Sequence, residues 1–239
     1  MHKKTCLIVP CYNEEKRLDI AAFRDYPGDC HFLFVDDGST DRTAEIIRPY
    51  IGDRIALLEL KANSGKGEAV RRGMLYALEA LVLRESEWFG YWDADLATPL
   101  DELEMFFGFA ALYPGGIDAI WGSRVYRLGS SIERDWRRHI AGRAFATAAG
   151  LLLGIKTYDS QCGAKLFRKA LIPVGFSQAF LSQWLFDIEL LLRLKTCRMI
   201  ECPLLKWQDQ PESKFKLVSY LPRIFLDLVR IRSRYAKMI

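Results

Sequence analysis

At 239 residues, half of them hydrophobic and 27% charged, the chain holds enough apolar side chains for one substantial core and carries no segment composed for disorder. Its formal net charge of +4 is too small to imply a nucleic-acid partner, and the excess gathers at the C-terminus, where Arg223, Arg230, Arg232, Arg234 and Lys237 face Asp227 alone. The apolar stretch after Met1-His2-Lys3-Lys4 is too short for a signal peptide, and the uncharged run 144–155 falls short of the ~20 residues a bilayer requires, so no membrane span is expected.

In chain order, residues 5–9 read as a strand, 31–35 as a second, 40–50 as a helix capped by Ser39 or Thr40, and 55–60 as a third strand. Residues 66–83 read as a helix, 88–92 as a fourth strand and 118–121 as a fifth, ending in Gly122-Ser123-Arg124. Beyond an arginine-rich, aromatic stretch, 180–194 looks helical, 198–204 strand-like and 219–235 helical. This alternation predicts an α/β fold with a mostly parallel sheet and right-handed crossovers. The six cysteines form no CxxC pair and are expected to be free thiols in a reducing compartment.

In open parallel sheets ligands bind beyond the carboxyl ends of the strands, and the residues that follow each predicted strand here are polar. They are Pro10-Cys11-Tyr12-Asn13-Glu14, Asp36-Asp37-Gly38-Ser39, Asn63-Ser64-Gly65-Lys66-Gly67 and Asp93-Ala94-Asp95. Asp93 and Asp95 lie on one side of an extended chain. Two carboxylates so placed repel unless a hard cation compensates, which points to Mg²⁺ or Mn²⁺ completed by substrate phosphates. Asp36 and Asp37 are more carboxylate than a turn needs and suggest a nucleoside site. Lys66, between two glycines at a predicted helix start, suits an anion or is a plain glycine-rich lead-in to the helix; the spacing is not that of a Walker loop.

Taken together, those four segments resemble the family 2 glycosyltransferases of GT-A fold. Asp159-Ser160-Gln161-Cys162-Gly163-Ala164-Lys165-Leu166-Phe167, Phe186-Asp187-Ile188-Glu189-Leu190 and Trp207 with Ser213-Lys214 narrow the likeness to dolichyl-phosphate β-glucosyltransferases and their polyprenyl-phosphate relatives. The resemblance implies that Pro10, Tyr12, Glu14, Asp37 and Asp93 hold base and ribose, with Lys66 beside the nucleotide. It implies further that Asp95 binds the metal on the diphosphate, that Arg124 faces phosphate, and that Asp159, Gln161 and Glu189 border the sugar or acceptor pocket. Ala97 stands where related mannosyltransferases often carry glutamine, which weakens a mannosyl assignment.

An inverting transfer from a nucleotide-sugar, UDP-glucose favoured, onto a polyprenyl phosphate is therefore expected. A phosphomonoester, ionised at neutral pH, attacks without a protein base, whereas a hydroxyl acceptor requires one, with Asp159 or Glu189 as candidates. Arg134, Arg137, Arg138 and Arg143, ahead of the apolar run, suit a lipid phosphate with its tail alongside, as does Lys214, or they form a solvated helix face. The terminal helix shows Leu221, Ile224, Phe225, Leu228, Ile231 and Tyr235 at helical spacing with Arg223, Arg230 and Arg234 opposite. That stripe suggests packing on the domain or peripheral contact with the cytosolic face of a membrane. Residues 1–216 are read as the catalytic domain and 217–239 as a basic amphipathic helix. A soluble hydroxyl acceptor, or sugar-nucleotide binding without turnover, are the other readings.

Overall fold

The computed structural model describes residues 4–80, 83–133, 136–209 and 217–236. Its strands are β1 (Thr5–Cys11), β2 (Cys30–Asp36), β3 (Ile55–Glu59), β4 (Trp88–Trp92), β5 (Ala119–Ser123), β6 (Ser131–Glu133), β7 (Ala164–Arg168), β8 (Met199–Pro203) and β9 (Lys206–Gln208). Its helices are α1 (Ile20–Arg24), α2 (Thr43–Ile47), α3 (Lys66–Glu79), α4 (Glu102–Ala111), α5 (Trp136–Leu153), α6 (Ile172–Phe176), α7 (Phe186–Arg193) and α8 (Leu217–Arg234).

Seven strands form one sheet in the order β3-β2-β1-β4-β7-β5-β8, and β6 and β9 form a separate parallel ribbon. All neighbours in the large sheet pair parallel except β7, which runs antiparallel to both β4 and β5. Strands buried on both faces read as continuous apolar runs, and the pleat deals their side chains alternately to two cores. Leu7, Val9, Phe32, Phe34, Trp88 and Trp92 meet Phe23 of α1 and Phe106 of α4 on one face. Ile8, Leu33, Val35, Phe89 and Tyr91 meet Val70 and Met74 of α3, Phe176 of α6 and Leu190 of α7 on the other.

The mostly parallel sheet agrees with the expectation, while local details differ. Residues 164–168 carried no strand signal because Lys165 interrupts their apolar run, yet they form β7. The helix expected over 40–50 starts at Thr43, its first N–H bonded to Asp41 Oδ1 at 3.0 Å, while Ser39 receives the N–H of Asn13 instead. The helix expected over 180–194 is confined to Phe186–Arg193.

A third core joins Ala149 and Leu153 of α5, Ile188 and Leu192 of α7, and Ile224, Leu228 and Ile231 of α8, with Tyr235 packed against it. Phe225, expected in that stripe, is 61% exposed. Its place on the helix, a quarter turn from Ile224, carries it off the packed face. All six cysteines are free thiols, five of them buried. Among the described residues no helix is long and apolar enough to cross a membrane.

Candidate active site

The carboxyl ends of β1, β2, β3 and β4 reach one edge of the sheet, where the register sets Cys11 beside Asp36 and Asp36 beside Glu59. Asn13 and Glu14 donate their N–H groups to Ser39 Oγ at 2.9 Å and Thr43 Oγ1 at 2.8 Å, which ties the loop after β1 to the loop after β2. Tyr12 is 38% exposed at this edge, Pro10 is half-buried, and Glu14 accepts a 2.5 Å bond from Arg17. The buried Asp37 carboxylate accepts the N–H groups of Ser64 at 2.9 Å and Gly65 at 2.7 Å. Burial raises its pKa against the opposing pull of those two donors. Asp37 thus shapes the Asn63–Gly67 loop that opens α3. Gly38 permits the arrangement: it has φ +69°, and a Cβ there would lie 2.6 Å from the Ala62 backbone.

That loop delivers Lys66, whose Nζ lies 2.5 Å from Asp93 Oδ1. Asp93 also donates its N–H to Gly163 O at 3.1 Å, and a Cβ on Gly163 would collide with the Asp93 carboxylate. The Cys-Gly-Ala sequence is therefore a backbone platform for Asp93. Asp95 accepts the Ala97 N–H at 3.1 Å, and burial first, then the charge of Asp93, raises its pKa. Both carboxylates are hard oxygen donors on one turn. Among the described residues no group of three or more His, Cys, Asp or Glu gathers to hold a metal ion, and Asp93 and Asp95 stand as a carboxylate pair. That donor set fits Mg²⁺ or Mn²⁺ completed by phosphate oxygens and does not fit zinc.

Further along the same edge, past β7 at the carboxyl end of β5, Arg124 and Asp159 form a bidentate pair with N–O distances of 2.6 and 2.7 Å, and the Arg124 N–H adds a third bond at 3.1 Å. Gln161 gives Asp159 its backbone N–H at 3.2 Å. The Arg124 guanidinium lies 5.3 Å from the ring centroid of Trp207, which β9 supplies. Beneath them Glu201 accepts the N–H groups of Tyr158 and Asp159 at 2.8 Å and the Thr157 hydroxyl at 2.7 Å. Arg143 caps the same loop, donating to Tyr158 O at 2.6 Å and stacking 3.8 Å from the Tyr158 ring centroid. Arg137 and Arg138 lie in the first turn of α5, their side chains outside the described residues, as are Arg134, Ser213 and Lys214.

Glu189 departs from the expected role at the acceptor pocket. It is 1% exposed and accepts from Leu181 N–H, Arg193 Nη2 and Tyr235 Oη, each at 2.8 Å, so it fastens α7 to α8. Its neighbour Asp187 points elsewhere, into a buried cluster absent from the expectation. Lys165, fully buried on β7, sits 3.0 Å from Asp187 Oδ1 and 5.0 Å from the Tyr91 ring centroid, and also donates to Cys162 O. Tyr91 donates its hydroxyl to Asp187, and burial, then the Asp187 charge, keeps the phenol protonated. The Lys66 ammonium lies 5.9 Å from the same Tyr91 ring. Lys165 in β7 and Glu201 in β8 share one sequence signal, a charge with apolar neighbours on both sides inside a strand.

An edge with paired carboxylates, a lysine at a helix start and a separate arginine-carboxylate wall is the arrangement of a sugar-nucleotide transferase. Residues 6–176 match the family described as Glycosyl transferase family 2, and the chain belongs to that family. Dolichyl-phosphate beta-glucosyltransferase of Dictyostelium discoideum is 32% identical over 250 residues, covering 96% of this chain and 74% of that protein. The Homo sapiens protein of the same name is 28% identical over 256 residues, covering 98% and 76%. Among solved structures, glucosyl-3-phosphoglycerate synthase from Mycobacterium tuberculosis, in complex with Mn²⁺, UDP and glucosyl-3-phosphoglycerate, has a TM-score of 0.65 at 17% identity. That match covers 98% of this chain and 80% of the other, and the fold it shows is GT-A.

Proposed function

We propose that this chain is an inverting, divalent-metal-dependent glucosyltransferase that moves glucose from UDP-glucose to a polyprenyl or dolichyl phosphate at the cytosolic face of a membrane. The relatives named for dolichyl-phosphate glucosylation support the acceptor, and the fold neighbours in complex with UDP and Mn²⁺ support the donor and the cation. Asp93 and Asp95 would hold the cation, which supplies charge stabilisation to the departing diphosphate when bound. Lys66, already held at Asp93, brings a positive charge to the same edge. Pro10, Tyr12, Glu14 and Asp37 form the wall for base and ribose, with Asp37 acting through the loop it shapes. Residues 1–216 make up the catalytic domain in this reading, and 217–239 a terminal element packed on it.

The observation that carries the choice of acceptor is the state of the two candidate bases. Asp159 is occupied by Arg124 and by the Gln161 N–H, and Glu189 is closed from solvent by three donors. Carboxylate oxygens already engaged by these donors, on side chains this buried, are not placed to take the proton of an acceptor hydroxyl. A hydroxyl acceptor would lack its general base, whereas a phosphomonoester is already ionised and attacks the anomeric carbon in line with the leaving group. The Arg124–Asp159 pair then acts as a rigid wall, with Gln161 and Arg143 on the acceptor side.

Incubation of the chain with labelled UDP-glucose, a polyprenyl phosphate and Mg²⁺ or Mn²⁺ tests the reading. Label in the organic phase, abolished by EDTA, is the expected result. Label recovered only on a soluble saccharide, or nucleotide binding without turnover, contradicts it.

A further inference from the structure

The apolar stripe of α8 that the sequence displays is spent on packing, yet α5 and α8 still show a second apolar surface. Along α5, Trp136 is 64% exposed, Ile140 57% and Leu151 82%. With the exposed Ala144 and Ala148 they recur every three or four residues, one face of the helix running most of its roughly 27 Å length. The opposite side of α5, with Ala149 and Leu153, enters the third core. On α8, Phe225, Leu226 and Val229 are 61%, 56% and 49% exposed.

The two exposed faces adjoin. Arg232 of α8 donates to the carbonyl of Leu152, the neighbour of Leu151. By the 100° step of a helix, Phe225 and Val229 lie about 20° and about 60° round from Arg232, both on the side away from the packed stripe.

Charge separates the possible occupants. α5 holds three arginines and no carboxylate; α8 holds four arginines and one carboxylate, Asp227, which is buried and bonded to Ser182 Oγ at 2.7 Å. Arg223, Arg230, Arg232 and Arg234 are all exposed. A second copy docked through this face would oppose like charges, because a two-fold interface meets itself. An anionic bilayer meets both features, taking the apolar stripe into its acyl boundary and the arginines among its headgroups. The face also borders the acceptor side of the site, since Arg143 of α5 holds the carbonyl of Tyr158, next to Asp159.

We infer that α5 and α8 together form a docking surface for anionic membrane, inserting Trp136, Ile140, Leu151, Phe225 and Val229. The inference rests on the lipid-acceptor reading for its purpose, and its test is independent of that reading. The full chain and the variants Ile140→Gln/Leu151→Gln and Phe225→Gln/Val229→Gln are floated with vesicles of phosphatidylcholine alone or with phosphatidylglycerol, without donor. Thermal melting reports folding. Transfer to a short-chain, water-soluble prenyl phosphate reports the catalytic end separately.

The parent is expected to float with anionic vesicles and not with neutral ones at moderate salt. Each double variant is expected to lose ~tenfold or more in partitioning, melting and soluble-acceptor transfer being unchanged. Folded variants that float like the parent overturn the proposal. So does a parent that dimerises through these positions without binding vesicles. Absence of transfer to any prenyl phosphate would refute the acceptor reading and leave the vesicle result to decide the surface.

Discussion

Lys165 and Asp187 offer a quantitative test of what holds the sheet beneath the donor edge. Both are buried, 3.0 Å apart, with Tyr91 donating to the same carboxylate oxygen. Removing one partner of such a pair leaves a charge in a low dielectric and costs about 3–5 kcal/mol, whereas replacing both by apolar groups is often neutral or stabilising. Asp187→Leu should therefore lower Tm by roughly 10 °C, at about 2–4 °C per kcal/mol for a chain of this size. Lys165→Met should do much the same, and the Lys165→Met/Asp187→Leu double variant should recover most of the loss. Four proteins unfolded in urea give a coupling energy, expected to exceed about 2 kcal/mol. Additive losses, or single variants within about 1 kcal/mol of the parent, would refute the pair as a coupled buried unit. The double variant also separates stability from function. Lys165 anchors Cys162 O, beside the Gly163 on which Asp93 rests, so the donor KM should rise in a protein that melts normally.

Asp95→Asn should lower turnover by at least ~10²-fold if the cation it holds supplies a few kcal/mol of transition-state stabilisation. The same variant should melt no lower than the parent. The pKa of Asp95 is raised in the fold, so ionising it at pH 7 works against stability, and asparagine relieves that while keeping an acceptor for the Ala97 N–H. Near-parental rates in folded protein would remove Asp95 from the reaction. Glu189→Gln is expected to behave in the opposite way, losing about 1–3 kcal/mol in urea unfolding because Arg193 forfeits its charged partner, with turnover per folded molecule unchanged. A large fall in turnover at unchanged stability would return Glu189 to the chemistry.

By itself the sequence determined the class of fold and the edge at which chemistry is read. Its apolar runs are long enough to be strands buried on both faces, and each ends in residues, Asn13, Asp37, Gly65, Asp95, whose types suit turns and ligands rather than cores. Local composition carries that information because burial and turn geometry act on neighbouring residues. What the tertiary structure decided are partnerships between residues far apart in the chain. Asp159 looks like a free base until Arg124, 35 residues earlier, closes on it. Glu189 looks catalytic until Tyr235, 46 residues later, occupies it. Lys165 is only a break in an apolar run until the antiparallel entry of β7 between β4 and β5 buries it against Asp187. In α8 the periodic stripe was legible. Which of its two apolar faces is packed follows only from where α5 and α7 lie, because a helix whose sides are both apolar is oriented by its neighbours and not by its own period.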